Sequence, residues 1–175
     1  MSTLSVNTIQ AQTGTTVSVP TGQTFTAPGM IVGAAVSQIT ANSSRGSAQA
    51  FDDDFVFTSY TPKLTTSTVI IQGVANFDSA NSAYCRYRWV INGANFLSTP
   101  GYTTPSYTHQ FYSNTSLNAY GYMPSTIITS VSNTDGSAIT VKCQGMTNSG
   151  TLYRNGASGG QAGSPSSVLY LEIAP

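Results

Sequence analysis

The chain has 175 residues, of which 39% are hydrophobic and only 7% are charged, with six Lys and Arg residues against six Asp and Glu. Ordinary soluble domains carry about 25% charged residues, so neutral hydroxyl and amide groups are expected to dominate this surface. The basic residues are scattered without a basic run, which argues against electrostatic binding of nucleic acid or of anionic membranes. No run approaches about 18 apolar residues, so no transmembrane helix is predicted.

The N-terminal segment, residues 1–29, consists of short alternating pieces separated by Gly and Pro. Ordering each residue costs about 1–2 kcal/mol, and the segment has too few apolar side chains to bury itself. It is therefore predicted to be an anchoring arm that needs another domain or chain, and residues 30–175 form the body. The arm residues expected to pack against another domain or chain are Leu4, Val6, Ile9, Val17, Val19 and Phe25.

The start of the chain also lacks the basic and apolar regions of a secretory signal. We therefore expect synthesis in a cytosol without Sec-type export. A protein of this kind would reach the outside by another route, such as cell lysis.

The body is predicted to be all-β, because no apolar stripe of period 3.6 is present and Thr, Ser, Val, Tyr, Asn and Gly dominate. Turn signals separate the apolar and alternating runs at a spacing typical of a jelly-roll-like antiparallel β-sandwich. The predicted strands are Met30–Ile39, Phe51–Tyr60, Ser67–Phe77, Ala83–Ile91, Thr108–Tyr112, Ser116–Tyr122, Ser125–Val131, Ser137–Met146, Thr151–Tyr153 and Val168–Ile173.

Two turns and two cysteines refine this prediction. Asn92-Gly93 is a hairpin signal because both residues tolerate positive φ, and Asn133–Gly136 is predicted to join a second hairpin. Cys85 and Cys143 fall on the apolar sides of their strands. They would form either a disulfide between adjacent strands or two buried reduced thiols.

Both ends of the chain carry further motifs. The N-terminal motif has Ser2, Thr3, Leu4, Val6, Asn7, Ile9 and Gln10, and the C-terminal motif runs from Ser166 to Ala174, with a Gly150–Gly156 turn before it. In these motifs the chain resembles short fibre and appendage proteins of tailed bacteriophages of marine and freshwater bacteria, including cyanobacteria. The resemblance covers the termini well and the middle poorly.

This resemblance implies a jelly-roll or tumour-necrosis-factor-like head domain, a homotrimer and a place in the virion after synthesis in the host cytoplasm. The arm would attach to a tail, portal or capsid protein, and the head would contact a host surface polysaccharide. The expected function is that of a short tail fibre or appendage. The alternatives are a capsid decoration or cement protein and a free lectin-like carbohydrate-binding module.

The Tyr-rich tract is the first candidate for receptor contact, because aromatic rings stack on the apolar faces of sugars and loops commonly carry recognition. Packing within the core or between subunits is the alternative for any single ring. The Gly- and Ser-rich loop that begins at Asn155 is the second candidate. The predicted contact residues are Tyr102, Tyr107, Phe111, Tyr112, Tyr120, Tyr122 and Asn155.

Metal and catalytic sites have weaker support in the sequence. The run Asp52, Asp53 and Asp54 could bind Ca²⁺, although its spacing is not that of a calcium loop and a solvated strand entrance is the alternative. His109 is the single histidine and could bind an ion when three copies meet, or could simply be a hydrogen-bonding side chain. No serine triad and no marked pair of carboxylates is present, so neither catalysis nor a cofactor is predicted.

Overall fold

The computed structural model describes residues 26–46, 48–80, 84–96, 109–112, 123–148, 150–157, 161–162 and 164–175. Within these ranges there is no helix long and apolar enough to cross a membrane. The strands are β1 (Ile31–Ile39), β2 (Ser43–Arg45), β3 (Ala48–Val56), β4 (Ser67–Ala80), β5 (Tyr84–Ile91), β6 (Ala94–Phe96), β7 (His109–Tyr112), β8 (Met123–Asn133), β9 (Val141–Thr147), β10 (Thr151–Arg154), β11 (Gly156–Ala157), β12 (Gln161–Ala162) and β13 (Ser166–Ile173).

The strands form a jelly-roll-like antiparallel β-sandwich, which confirms the predicted fold class. The first sheet has the order β1-β13-β4-β10-β2, with β8 paired to the other edge of β4. The second sheet has the order β3-β9-β5-β6, and β7 also pairs with β5. The strands β11 and β12 form a small ribbon. Successive long strands alternate between the sheets, because β1, β4, β8 and β13 lie in the first while β3, β5 and β9 lie in the second.

Aromatic side chains fill the space between the sheets. The fully buried Trp89 stacks on Phe57 with 5.9 Å between ring centroids, and Phe77 stacks on Tyr87 at 4.0 Å. The indole Nε1 of Trp89 donates to Ser125 Oγ at 3.1 Å, which links β5 to β8 across the core. The predicted alternation of β5 is confirmed, since Cys85, Tyr87, Trp89 and Ile91 are all buried.

One predicted hairpin is confirmed and the other is wrong. Asn92 and Gly93 have φ of 49° and 77° and join β5 to β6, with Ile91 paired to Ala94. By contrast, β8 pairs with β4 and β9 pairs with β3 and β5, so the turn at 133–136 carries the chain from one sheet to the other. Asn133 ties this turn down, because it accepts from Gly136 N and donates to Leu64 O. Two alternating strands joined by a turn signal can face each other across a sandwich instead of pairing side by side.

Both cysteines are buried free thiols. They lie on neighbouring strands, but Cys143 is opposite Trp89 and Cys85 is opposite Thr147, so the register separates them along the strands. Burial raises the pKa of the Cys143 thiol well above its ordinary value. Of the two alternatives for Cys85 and Cys143, the structure therefore agrees with two buried reduced thiols.

The C-terminal strand β13 turns its more polar set of residues inward. Val168, Tyr170 and Glu172 are buried, while the alternate Leu and Ile residues lie on the other side of the sheet. The Glu172 carboxylate accepts hydrogen bonds from Tyr60 Oη, Lys63 N and Leu64 N at 2.8–2.9 Å. Burial alone would raise the pKa of Glu172, but these hydrogen bonds outweigh it and lower the pKa. One buried carboxylate therefore fixes the segment at 60–64 to the first sheet.

Replacing Glu172 with Gln is expected to make the free energy of unfolding depend less on pH in the acidic range. The pKa in the folded state lies below the ordinary 4.5, so the carboxylate stabilises the fold fully above pH 4.5 and loses this effect as the pH falls through the folded-state pKa. We expect E172Q to cost about 1–3 kcal/mol at neutral pH, because an amide nitrogen then faces backbone N–H donors. Urea unfolding at several pH values measures this difference, which should shrink in acid.

The exposed Asp135 supplies the control for this experiment. D135N removes a carboxylate outside the interior and is expected to leave most of the acid dependence in place. Equal acid dependence in E172Q and in the unsubstituted protein would contradict the role assigned to Glu172.

Candidate functional site

Across β1, β13, β4 and β8, the outer face of the first sheet carries no charged residue among those described, and nine of its sixteen residues are apolar. We call it the apolar face, and it consists of four cross-strand rows from β1, β13, β4 and β8. The rows are Ile31, Ile173, Thr68 and Ser132; Ala34, Leu171, Ile70 and Ser130; Val36, Leu169, Gln72 and Ile128; and Gln38, Ser167, Val74 and Thr126.

Several side chains of the apolar face are strongly exposed in the single chain. Ile128 is 72% exposed, Val36 is 69% exposed and Ile31 is 55% exposed. A shallow groove of about 480 Å³ is lined by Val36, Gln72, Val74 and Ile128. Scattered exposed apolar residues are ordinary, but a contiguous apolar patch is typical of a protein–protein contact.

The outer face of the second sheet is polar and charged. We call it the polar face, defined by Phe51, Asp53, Arg86, Arg88, Lys142 and Gln144 of β3, β5 and β9. Asp53, Gln144 and Arg88 form one cross-strand row. Arg88 Nε donates to Gln144 Oε1 at 2.6 Å, Gln144 Nε2 donates to Asp53 Oδ1, and Lys142 Nζ lies 2.6 Å from Asp53 Oδ2.

The charged side chains on the polar face interact with one another and with their neighbours. The hydrogen bonds from Lys142 and Gln144 lower the pKa of Asp53, so it is ionised at neutral pH. The Arg88 guanidinium lies over the Phe51 ring, with 4.2 Å from Cζ to the ring centroid. The side chains of Asp53 and Lys142 are 35% and 37% exposed, so the network remains accessible to a ligand.

The run of three aspartates does not form a common metal site. Asp54 points inward, where Arg45 Nε donates to its carboxylate at 2.8 Å and Arg154 donates to its backbone oxygen at 2.6 Å. Burial raises the pKa of Asp54, and Arg45 opposes this shift. Because successive side chains of a strand point to opposite faces, Asp53 lies on the polar face and Asp54 inside. Asp53 and Asp54 therefore lie on different sides of the sheet, and the run does not provide a shared calcium site.

The contacts of Asp54 have a structural consequence. They join β2 and β10 of the first sheet to β3 of the second, and so close one side of the sandwich. Among the residues described, no group of three or more His, Cys, Asp or Glu side chains could hold a metal ion. His109 is placed in β7, opposite Tyr87, and its side chain is outside the described part of the structure.

Asn155 is a structural residue, which corrects its prediction as a receptor contact. It is 0% exposed, and its φ of 56° lies in the left-handed region. Its amide donates to Ile39 O at 2.7 Å and to Ala41 O at 3.2 Å, and its Oδ1 accepts from Ser166 Oγ at 2.6 Å. A Gly- and Ser-rich run that contains an asparagine is typical of a surface loop. Here, however, the side chain of Asn155 is buried and forms hydrogen bonds with the backbone oxygens of Ile39 and Ala41.

Other predicted site residues lie outside the described residues. These are the arm residues Leu4, Val6, Ile9, Val17, Val19 and Phe25 and the contact residues Tyr102, Tyr107, Tyr120 and Tyr122. Phe111 and Tyr112 belong to β7, whose backbone pairs with β5 at Cys85 and Tyr84. The Tyr-rich tract therefore contributes one strand to the edge of the second sheet, the sheet that carries the polar face.

Neither face can be recognised as a site from the sequence alone. Leu169, Leu171 and Ile173 alternate with Val168, Tyr170 and Glu172, but this alternation does not show which of the two sets faces the core. The polar face depends on cross-strand pairing between residues far apart in sequence, such as Asp53 and Gln144. Only the register brings those side chains together.

Comparisons with known proteins give a weak structural likeness. No family model matches the chain, and no curated protein matches it. A solved structure described as Eiger TNF from S. frugiperda is similar over 85% of this chain and 94% of that chain, with 9% identity and a TM-score of 0.40.

The role of Asn155 is testable by substitution. N155G keeps the left-handed backbone but removes the side-chain hydrogen bonds, and each buried group left without a partner costs about 1–3 kcal/mol. N155A adds the strain of a Cβ at positive φ and is expected to be destabilised by about 1 kcal/mol more. Thermal and urea unfolding of both variants measure these differences.

Asn92 is the matched control, because it also has positive φ but is exposed. N92A and N92G are expected to change stability less than the substitutions at Asn155. Equal effects at the two positions would contradict a special role for the buried hydrogen bonds of Asn155.

Proposed function

We propose that the protein is a virion structural protein, a short tail fibre or appendage whose copies assemble through the apolar face. The arm attaches the assembly to a tail, portal or capsid protein, and the head contacts the host surface. The observation that carries the proposal is the uncharged apolar face, which needs protein to cover it. The threefold arrangement and the place in the virion come from the resemblance of the chain ends to phage appendage proteins. The proposal includes no catalytic activity.

A second copy of the chain is the occupant that best fits the apolar face. Four strands about 4.8 Å apart and four rows of residues give a patch on the order of 500 Å². A standard interface buries about 800 Å² per partner, so the patch and its rim supply the core of a stable contact. A face without charge also imposes no desolvation of ions when it meets a like surface.

The arm supports attachment to a larger assembly. Residues 1–25 contain no charged side chain, and Leu4, Val6, Val17 and Val19 alternate with polar residues. The described chain begins beside the C-terminus, where Gly29 N donates to Ala174 O at 3.0 Å and Ala174 N donates to Met30 O at 2.8 Å. The arm is therefore joined in sequence to the end of the β1 and β13 pair.

A capsid decoration protein is the nearest alternative, because an arm and an apolar face would serve it equally well. A free lectin-like module is the other, and the polar face is the observation that favours it. Electron microscopy of particles that carry a labelled chain separates these functions. Label at the tail supports the appendage, label over the capsid supports decoration, and an unlabelled particle supports the free module.

Polar substitution on the apolar face is expected to dissociate the copies. The double variant V36N/I128N replaces two strongly exposed side chains, one on each outer strand of the face, with amides that must be desolvated on association. Sedimentation velocity should show the unsubstituted protein as an oligomer and the double variant as a monomer. V56N is the matched control, since Val56 is 55% exposed but lies on β3 of the second sheet. A monomeric unsubstituted protein would contradict assembly through this face.

Deletion of residues 1–25 is expected to abolish attachment and leave the head folded. The deletion retains Gly29 and Met30, whose backbone pairs with Ala174, so the sandwich keeps its described contacts. Thermal unfolding and sedimentation should match those of the full chain, while gel analysis of purified particles should show the truncated protein missing. Incorporation at the normal level would rule out attachment through the arm.

A further inference from the structure

We propose that the polar face binds an acidic saccharide, with the guanidinium of Arg88 and the ammonium of Lys142 facing its carboxylates. This inference names the ligand class of the host contact and rests on the function proposed above. It assigns the contact to the open face of a sheet, in addition to the Tyr-rich tract predicted from the sequence.

The geometry of the row across β3, β9 and β5 suits a hydroxyl-rich ligand. Asp53, Gln144 and Arg88 lie side by side and hold one another by hydrogen bonds, so their planar groups are oriented before a ligand arrives. Amide and carboxylate groups held in this way bind sugar hydroxyls as both donors and acceptors. The row spans two strand spacings, about 10 Å, which matches a short segment of a saccharide chain.

Arg88 supplies unused donors at one end of the row. Its Nε donates to Gln144, and within the described ranges its two Nη groups have no partner and are not buried. Its Cζ atom lies over the Phe51 ring, 4.2 Å from the ring centroid, which restricts the guanidinium. A guanidinium fixed in this way presents a fork that binds a carboxylate with two parallel hydrogen bonds.

The charge balance favours an anionic ligand. Three of the six Lys and Arg residues of the chain, Arg86, Arg88 and Lys142, lie on this one face. The polar face as defined has one carboxylate, Asp53, so its three cations leave an excess of two positive charges in a chain of net charge zero. The apolar face, in contrast, has no charge.

The topology places the predicted contact tract beside this face. Gln110 of β7 pairs with Arg86 of β5, and His109 pairs with Tyr87. The described part of this tract, β7, therefore lies beside the strand that carries Arg86 and Arg88.

The test measures binding of the full-length chain to uronic acid oligomers. The probes are oligogalacturonate and oligomannuronate, with a maltooligosaccharide of equal length as the neutral comparison, titrated calorimetrically at low salt. We expect both acidic oligomers to bind more tightly than the neutral one, with affinity that falls as salt rises. R88A is expected to weaken binding about tenfold, because it removes a charge-assisted hydrogen-bonding group.

K63A is the matched control for charge, because Lys63 is exposed, lies away from the polar face and contributes only its backbone N–H to Glu172. It removes one positive charge, as R88A does, and is expected to leave the affinity unchanged. Q144A provides a second variant on the face if R88A fails to fold, which near-ultraviolet circular dichroism would reveal. R88K is expected to bind with intermediate affinity, since it keeps the charge and loses the fork.

Three outcomes would overturn the inference: no binding of either acidic oligomer, equal binding of the neutral oligomer, or equal losses in R88A and K63A. Sedimentation velocity on the same samples keeps this result separate from the proposed assembly. An oligomer that binds no saccharide would refute the ligand and leave assembly intact. A monomer that binds acidic saccharide through Arg88 would support the ligand assignment and refute assembly through the apolar face.

Discussion

The first sheet of the sandwich carries apolar side chains on both of its faces, and this constraint governs the rest of the molecule. Val69, Ile71 and Val168 face the core. Leu169 of β13 and Ile128 of β8 face outward. An antiparallel sheet with one face in water normally alternates apolar and polar residues. Because β13 departs from this pattern, the single chain leaves apolar side chains on the outer side of the sheet. These outward side chains are the physical reason for the proposal that the sandwich is one part of an assembly.

Although the chain has few charged residues, several of them lie in the interior. Three of the six acidic residues, Asp54, Asp78 and Glu172, are buried. Glu172 fixes a loop to the first sheet, and Asp54 joins the edges of the two sheets through Arg45. A buried carboxylate stabilises a fold only when hydrogen bonds compensate its desolvation. The buried carboxylates therefore help to define how the sheets meet, and four of the nine other charged residues lie together on the polar face.

Local pattern predicted the strands well, because alternation and turn chemistry are local properties. The β5 strand and the turn at Asn92 and Gly93 follow directly from side-chain period and positive φ. The pairing of β8 could not be predicted, since a turn signal does not say whether the next strand stays in the same sheet. The prediction of Asn155 as a receptor contact was wrong for a related reason. Its hydrogen-bond partners Ile39 and Ser166 come from other parts of the chain, and a local pattern does not show them. The candidate faces depend on such pairings, so they could be found only in the structure.

The two outer faces lie on opposite sides of a body only two sheets thick, about 10 Å between sheet centres. A contact between copies that covers Val36 and Ile128 therefore turns Arg88 and Lys142 toward the outside of the assembly. In the proposed assembly the polar face would be repeated once for each copy, so a weak contact at each site would gain strength through multivalency. The proposed assembly and the proposed surface binding would be linked in this way, because the apolar face and the polar face belong to different sheets.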